Sequence, residues 1–159
     1  MTDPGAMASA VSWRVVSVAA VRLEMPGVHP EVVLQETDAP WRELRIPVGF
    51  AEGTAIAYAW RELPTPRPLT HALFAETLER QGVEILAVRI TGRQGGVYLA
   101  ELDTAGQRGQ QVVPCRPSDG VALALRRSLP TPILVAEPLF VPASDPLEPS
   151  SPAEADPAP

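Results

Sequence analysis

Two short segments of the sequence place an arginine and a hydroxyl residue at the start of a predicted helix. One is Arg-Pro-Leu-Thr-His at residues 67–71, and the other is Arg-Pro-Ser-Asp at residues 116–119. The free N–H groups and the positive dipole at a helix start attract anions, and the planar guanidinium group of arginine matches phosphate oxygens. The two segments therefore predict phosphate binding. The predicted phosphate ligands are Arg67, Thr70, Arg116 and Ser118.

Three further side chains could transfer protons or hold a metal ion. Histidine changes charge near neutral pH, so His71 suits a general acid or base. Asp119, together with Glu52, could bind Mg²⁺ or Mn²⁺ through carboxylate oxygens. The same residue types also begin helices without any catalytic role, because Thr, Ser or Asp caps a helix by itself. Both interpretations stay open at this point.

The arginine that precedes each helix start favours a shared pocket. A capping residue alone would satisfy stability, so helix formation does not explain why both segments begin with arginine. Packing the two helix starts side by side would combine their partial positive charges into one phosphate-sized site. We therefore expect Arg67, His71, Arg116 and Asp119 to converge.

Hydrophobic periodicity predicts an α+β fold for a single domain, with about seven strands in a mostly antiparallel or mixed sheet and three helices. The predicted strands span residues 13–25, 32–37, 42–48, 83–91, 97–103, 110–115 and 133–135. The first three form an antiparallel meander, and Pro47 indicates that the third strand is an edge or carries a bulge. The predicted helices span residues 52–62, 70–82 and 121–127, with Thr70 capping the second and Ser118 or Asp119 the third. The predicted buried stripe of the second helix is Leu73, Phe74 and Leu78.

The net charge of −6 is unevenly distributed along the chain. Residues 142–159 contain four acidic residues, six prolines and no basic residue, which predicts a disordered acidic tail. Residues 12–141 are the predicted folded domain, and residues 1–11 are a disordered N-terminus or an expression remnant. No stretch is apolar enough to span a membrane. The only cysteine, Cys115, excludes an internal disulfide, and the expected location is the cytoplasm.

Several segments occur in an order and spacing that are typical of one known family. The chief ones are Leu-Arg-Ile-Pro-Val-Gly at residues 44–49, the segment at residues 67–71, and Arg-Pro-Ser-Asp-Gly-Val-Ala-Leu-Ala-Leu-Arg at residues 116–126. Over residues 13–141 the chain resembles the bifunctional nuclease domain family. The resemblance implies a compact α+β fold, a homodimer, and the ability of some members to cleave both DNA and RNA.

Two positions depart from the usual pattern of that family. The family usually reads Thr-His-Asp at the second helix, whereas this chain reads Thr70-His71-Ala72, and Pro47 stands where the family usually has tryptophan. If the missing carboxylate were a metal ligand, activity would be weakened or lost. The departure at Ala72 therefore bears directly on whether the chain is an enzyme.

Three functional hypotheses follow from the residues and the resemblance. The favoured one is phosphodiester hydrolysis with Mg²⁺ or Mn²⁺, in which Arg67 and Arg116 bind phosphate, His71 transfers a proton, and Asp119 holds metal or orients water. The second is a non-catalytic nucleic-acid-binding, anion-binding or regulatory module that keeps the fold. The third is a purely structural homodimer in which the acidic tail serves as a tether.

Overall fold

The first three strands form an antiparallel meander, as their alternating sequences predict. The strands are β1 (Trp13–Arg22), β2 (Glu31–Glu36) and β3 (Glu43–Pro47). The computed structural model describes residues 11–23, 29–126 and 131–140. The predicted end of the first strand at residue 25 and the acidic tail at residues 142–159 lie outside these ranges.

A second antiparallel meander consists of β4 (Glu84–Gln94), β5 (Val97–Gly106) and β6 (Gly109–Cys115). The turn between β4 and β5 contains Gly95 and Gly96, both with positive φ, which glycine adopts without steric cost. The last strand, β7 (Ile133–Ala136), then inserts between the two meanders. It pairs antiparallel with β1 and parallel with β4.

The seven strands therefore form one mixed sheet in the order β3-β2-β1-β7-β4-β5-β6. The strand at one edge is β3, as the proline at residue 47 predicts, because proline cannot donate a hydrogen bond to a neighbouring strand. Together with three α-helices the sheet makes one α+β domain, which confirms the predicted fold class. None of the helices in the described part of the chain has the length and apolarity that crossing a membrane requires.

The most buried helix is α3 (Pro117–Ala124), which packs against β4, β5 and the other two helices, α1 (Phe50–Trp60) and α2 (Thr70–Arg80). Its close approach to the sheet depends on Gly120. A Cβ atom at that position would lie 2.7 Å from Cγ1 of Val88 on β4. Because real Cβ atoms do not approach other atoms that closely, a glycine is needed where α3 crosses the strand.

Helix α3 begins earlier than the sequence predicts. Its N-cap is Arg116, which has extended backbone angles and makes no capping hydrogen bond through its side chain. Pro117 occupies the first helical position, where its missing N–H is not needed and its fixed φ suits a helix. The prediction that Ser118 or Asp119 caps this helix is therefore wrong, and the Asp119 carboxylate is available for other contacts.

Helix α1 begins two residues before its predicted start. Gly49 is its extended N-cap, and Glu62 takes a positive φ just beyond its end. The start of α2 also differs from the prediction: Leu69 is the N-cap, while Thr70 is the first helical residue and makes no capping bond. Gly82, which also has a positive φ, lies just beyond the end of this helix, as predicted.

The buried face of α2 agrees only in part with the predicted one. Leu73 and Phe74 are 56% and 48% exposed, whereas Ala75 is buried and Leu78 packs against the core. Positions i, i+4 and i+7 lie on one face of a helix, so His71 shares the inward face with Ala75 and Leu78. The predicted stripe is therefore wrong for Leu73 and Phe74 and right for Leu78, since Phe74 borders a groove and not the core. With this face of α2 turned inward, His71 is directed toward α3.

An ion cluster around the buried Glu36 ties the first two strands to the loop before β3. The Glu36 carboxylate accepts hydrogen bonds from Nε of Arg14 at 2.7 Å and from Nη2 of Arg42 at 2.8 Å. Hydrogen bonds from Arg42 lower the pKa of Glu36 to about 2, although burial acts in the opposite direction. Arg42 also contacts Glu137 in the short 3₁₀ helix Glu137–Phe140 that follows β7. The cluster thereby fixes the end of the described chain to the first meander.

Candidate functional site

The first turns of the three helices meet at one place on the domain. Glu52 lies in the first turn of α1, His71 in that of α2 and Asp119 in that of α3, while Arg116 caps α3. The partial positive charge of a helix start stabilises a nearby carboxylate. Because α3 packs against both α1 and α2, it brings these four side chains within contact distance.

Arg116 bridges two of the helix starts through its guanidinium group. It donates to Asp119 twice, from Nε to Oδ2 at 2.7 Å and from Nη2 to Oδ1 at 2.9 Å. Its Nη1 lies 2.9 Å from Oε1 of Glu52. The hydrogen bonds and charge of Asp119, followed by the charge of Glu52, raise the pKa of Arg116 further above its ordinary value. The side chain is still 65% exposed, so it can also contact a ligand.

Asp119 also pairs with His71. Nε2 of His71 lies 2.9 Å from Oδ1 of Asp119. Burial acts to raise the pKa of Asp119, but hydrogen bonds from Arg116 and His71 outweigh it, and the pKa lies below its ordinary value. An ionised carboxylate only accepts hydrogen bonds, so Nε2 carries the proton of this pair. The other ring nitrogen, Nδ1, has no hydrogen-bond partner among the described residues and is left to contact a ligand.

A cleft of about 630 Å³ opens over these groups. Phe50 and Leu69 add apolar surface to a polar lining that comes from Glu52, Thr54, Thr70, His71, Arg116 and Asp119. This volume lies within the range of about 300–1,000 Å³ that is typical of small-molecule sites. The cleft therefore has room for a phosphate group with adjoining atoms.

Two further cavities adjoin the cleft. A groove of about 450 Å³ shares Thr70, His71 and Asp119 with it and extends toward Phe74. A smaller cavity of about 330 Å³ lies on the other side of Arg116. The His71–Asp119 pair thus stands between the polar cleft and the groove that extends toward Phe74.

The structure brings together most, but not all, of the predicted site residues. Glu52, Thr70, His71, Arg116 and Asp119 line the same cleft. Ser118 is buried and lines only the smaller cavity beyond Arg116. Arg67 is exposed in the loop before α2, lines none of these three cavities, and makes no hydrogen bond or ion pair to another described residue. The expected convergence therefore holds for His71, Arg116 and Asp119, and the expectation that Arg67 joins them is wrong. Glu52 of α1 is the fourth side chain of the cluster.

The arrangement of carboxylates does not fit a preformed metal site. Both Glu52 and Asp119 direct an oxygen at Arg116, so each carboxylate already has an ion-pair partner. The described ranges contain no group of three or more His, Cys, Asp or Glu side chains that could hold a metal ion. Divalent metals such as Mg²⁺ and Mn²⁺ require several oxygen ligands around them. The predicted metal site at Asp119 and Glu52 therefore stays a prediction.

The apolar groove was not predicted from the sequence, although Phe74 and Leu78, which line it, belong to the predicted stripe of α2. Helical spacing places Phe74 in the predicted buried stripe of α2. Cys115 also lines the groove, where burial, followed by the charge of Asp119, raises the pKa of its thiol to about 11. No local pattern distinguishes a buried helix face from one that borders a groove.

Comparison with known proteins identifies relatives for most of the chain. Residues 32–147 match the model of the family described as "Bifunctional nuclease domain". The uncharacterized protein Rv1829 of Mycobacterium tuberculosis is 37% identical over 115 residues, which cover 72% of this chain and 68% of that protein. Bifunctional nuclease 1 of Arabidopsis thaliana is 29% identical over 105 residues, which cover 64% of this chain and 32% of that protein.

Proposed function

The chain belongs to the bifunctional nuclease domain family, and we propose that it hydrolyses phosphodiester bonds of DNA, RNA or both at the cleft around Arg116. The observation that carries the proposal is the connected set of His71, Asp119 and Arg116. A histidine paired with a carboxylate lies beside an exposed guanidinium group in one cleft. Phosphodiester hydrolysis requires these two functions, proton transfer and the binding of a phosphate anion.

Each group has a role in the proposed reaction. The exposed edge of the Arg116 guanidinium group binds a phosphate oxygen and stabilises negative charge in the transition state. His71 accepts a proton from the attacking water as the new bond between water oxygen and phosphorus forms. The bond to the leaving oxygen breaks, and that oxygen receives a proton from His71 or from solvent. Asp119 orients the imidazole ring and stabilises its charged form, as carboxylates do in other histidine pairs.

The charge of the cleft bears on the metal that the sequence analysis expects. Two carboxylates, Glu52 and Asp119, face one guanidinium group there. An added Mg²⁺ or Mn²⁺ would supply positive charge next to a bound phosphate. Because the described residues do not form a metal site by themselves, the reaction above uses none. The metal requirement is a separate proposal with its own test.

The function is tested with purified full-length chain and end-labelled single-stranded and duplex DNA and RNA. Each substrate is incubated with Mg²⁺, with Mn²⁺ or with EDTA. We expect cleavage in at least one condition, and loss of that cleavage in His71→Ala. The matched control is His29→Ala, because His29 is the other histidine of the chain, is exposed and lines none of the three cavities. Equal cleavage by wild-type protein and His71→Ala contradicts the proposed mechanism.

A second candidate function is a nucleic-acid- or anion-binding module that no longer cuts. It is favoured by Ala72, which stands in the first turn of α2 where the family usually has an aspartate. The pairing of Arg116 with both acidic groups also favours it, since these contacts compete with a phosphate. Binding of an oligonucleotide without cleavage under all metal conditions identifies this function and excludes the first.

The proposal includes a homodimer. Apolar side chains stay partly uncovered on the sheet of the isolated domain: Val15 on β1 is 46% exposed, and Val97 and Leu99 on β5 are also exposed. A partner chain that covers such a face removes apolar area from water, which favours association. A structural dimer that uses the acidic tail as a tether, without any chemistry, is the third hypothesis and is distinguished by the absence of oligonucleotide binding.

A further inference from the structure

The groove beside the His71–Asp119 pair differs in chemistry from the cleft on the other side. Its walls are apolar and come from α2, α3 and the strands of the second meander. They include Phe74, Leu78, Leu102, Val113 and Leu123. Apart from His71 and Asp119, which it shares with the cleft, no charged side chain lines the groove. A ligand part that enters it must therefore be uncharged.

The groove is formed by apolar side chains that the fold leaves open. Phe74 on α2 is 48% exposed, and Val113 on the edge strand β6 is 45% exposed. These two residues come from separate elements and line the same cavity. Contiguous exposed apolar surface on a small domain commonly marks a site of interaction. The exposure of Phe74 is thus a property of the groove and not of one isolated residue.

The polar atoms around the groove further restrict the class of ligand that it could bind. The Thr104 hydroxyl donates to the backbone oxygen of Gln111, so its proton is already used. Thr70 stands at the boundary with the cleft, beside His71. The groove and cleft together suit a molecule with an uncharged part joined to an anion. A nucleotide has this composition, with its base on one side of the sugar and its phosphate on the other.

We propose that the groove is a base subsite, which receives one unstacked nucleobase of a strand whose phosphate lies at Arg116. This inference rests on the proposed function and adds to it a substrate class: nucleic acid that is single-stranded at the bound position. The ring of Phe74 provides the surface against which the base stacks. Stacking on an aromatic side chain tolerates any base, so the subsite contributes affinity without sequence preference.

The test compares two oligomers that carry the same phosphates. One is a short oligodeoxythymidine, and the other is an abasic oligomer of equal length. Binding to the full chain is measured by fluorescence anisotropy in EDTA. We expect wild-type protein to bind the oligodeoxythymidine about tenfold more tightly, in keeping with the contribution of one stacked base. Equal affinity for the two oligomers, or no binding to either, overturns the base subsite.

Phe74→Ala is the decisive variant, and Leu73→Ala is its matched control. Leu73 is the neighbouring residue of α2, is exposed, and lines none of the three cavities. Phe74→Ala should abolish the preference for oligodeoxythymidine while binding of the abasic oligomer is kept, and Leu73→Ala should change neither. If Phe74→Ala does not fold, as judged by circular dichroism, Phe74→Leu replaces it, because leucine keeps the apolar contact but lacks the ring. An unchanged preference in the folded variant contradicts the proposal.

The outcome is separable from that of the proposed hydrolysis. Base-dependent binding without any cleavage supports the subsite and overturns the hydrolysis. Cleavage with base-independent binding supports the hydrolysis and overturns the base subsite. Light scattering of Phe74→Ala covers the remaining alternative: conversion of a dimer to a monomer identifies the groove as an interface between two copies of the chain and overturns the base subsite.

Discussion

His71 and Asp119 are 48 residues apart in the sequence, and their side chains meet at 2.9 Å. The contact joins the first turn of α2 to the first turn of α3. The contact forms because α2 turns the face with His71 and Ala75 inward. The same orientation of the helix leaves Phe74 exposed. The orientation of α2 about its own axis therefore determines both the position of His71 and the opening of the groove.

Replacement of Asp119 by asparagine should lower the rate of phosphodiester cleavage about 100-fold, the smaller end of what positioned proton transfer contributes. The amide keeps the size of the side chain but removes the negative charge that Arg116 and His71 contact. The rate is measured under the condition in which the wild-type protein cuts. Asp103→Asn is the matched control, because Asp103 pairs with Arg89 outside the cleft. Equal losses in the two variants would remove the special role of Asp119.

Replacement of Gly120 by alanine should lower the free energy of unfolding by about 1–3 kcal/mol, the usual cost of an extra carbon in a packed core. The added Cβ atom would lie 2.7 Å from Cγ1 of Val88, so α3 must move away from β4. Gly92→Ala is the control, since nothing lies within 4 Å of a Cβ atom there and its φ is not positive. Urea denaturation measures both variants. Similar stabilities for the two would contradict the close contact between α3 and the sheet.

The Glu36 cluster should make stability sensitive to acid. The pKa of Glu36 in the folded chain is about 2, below its ordinary value of 4.5. A lowered pKa in the folded state means that the contribution to stability is complete above pH 4.5 and is lost as the pH falls toward 2. Glu36→Gln should therefore be less stable than wild-type protein at pH 7, and the difference should shrink below pH 4.5. Denaturation curves measured across this range test the prediction.

Glu84→Gln provides the control for the acid experiment. Glu84 is exposed on β4 and makes no ion pair with another described residue. Its replacement should leave the stability at pH 7 within experimental error of the wild type. A constant difference between wild-type protein and Glu36→Gln down to pH 2 would show that Glu36 does not cause the acid sensitivity.

The chain should form a homodimer at micromolar concentration. Val15 and other apolar residues on the sheet are left exposed by the helices of a single chain, and their burial against a second copy favours association. Light scattering should then give a mass near twice the 17.0 kDa of the chain. A single species at the mass of one chain would contradict the prediction.

The strands could be predicted from the sequence because alternation determines which residues face the core. In β3, Leu44 and Ile46 alternate with the exposed Glu43 and Arg45 and are buried in the structure. The order of strands could not be predicted. The four residues of β7 pair with strands from distant parts of the chain, and a short apolar run carries no information about its neighbours.

Part of the site could also be predicted from a local sequence pattern. The likeness of residues 67–71 to residues 116–119 predicts a meeting of two helix starts, and the His71–Asp119 pair confirms that geometry. Arg67 lies outside the cleft, in a proline-rich loop. Its position could not be predicted, because no periodic pattern determines the direction of such a loop. The contribution of α1 through Glu52 depends on packing between helices, which is a tertiary property.

The central position of β7 determines when the chain can complete its fold on the ribosome. In the described residues the two meanders are hydrogen-bonded to each other only through this strand, which lies near the C-terminal end of the domain. Until residue 136 has left the ribosome exit tunnel, β1 and β4 each present an unpaired edge, and such edges pair readily with other chains. A stop codon shortly before Ile133 would therefore yield two half-sheets prone to aggregation, even though all residues of the cleft had been synthesised.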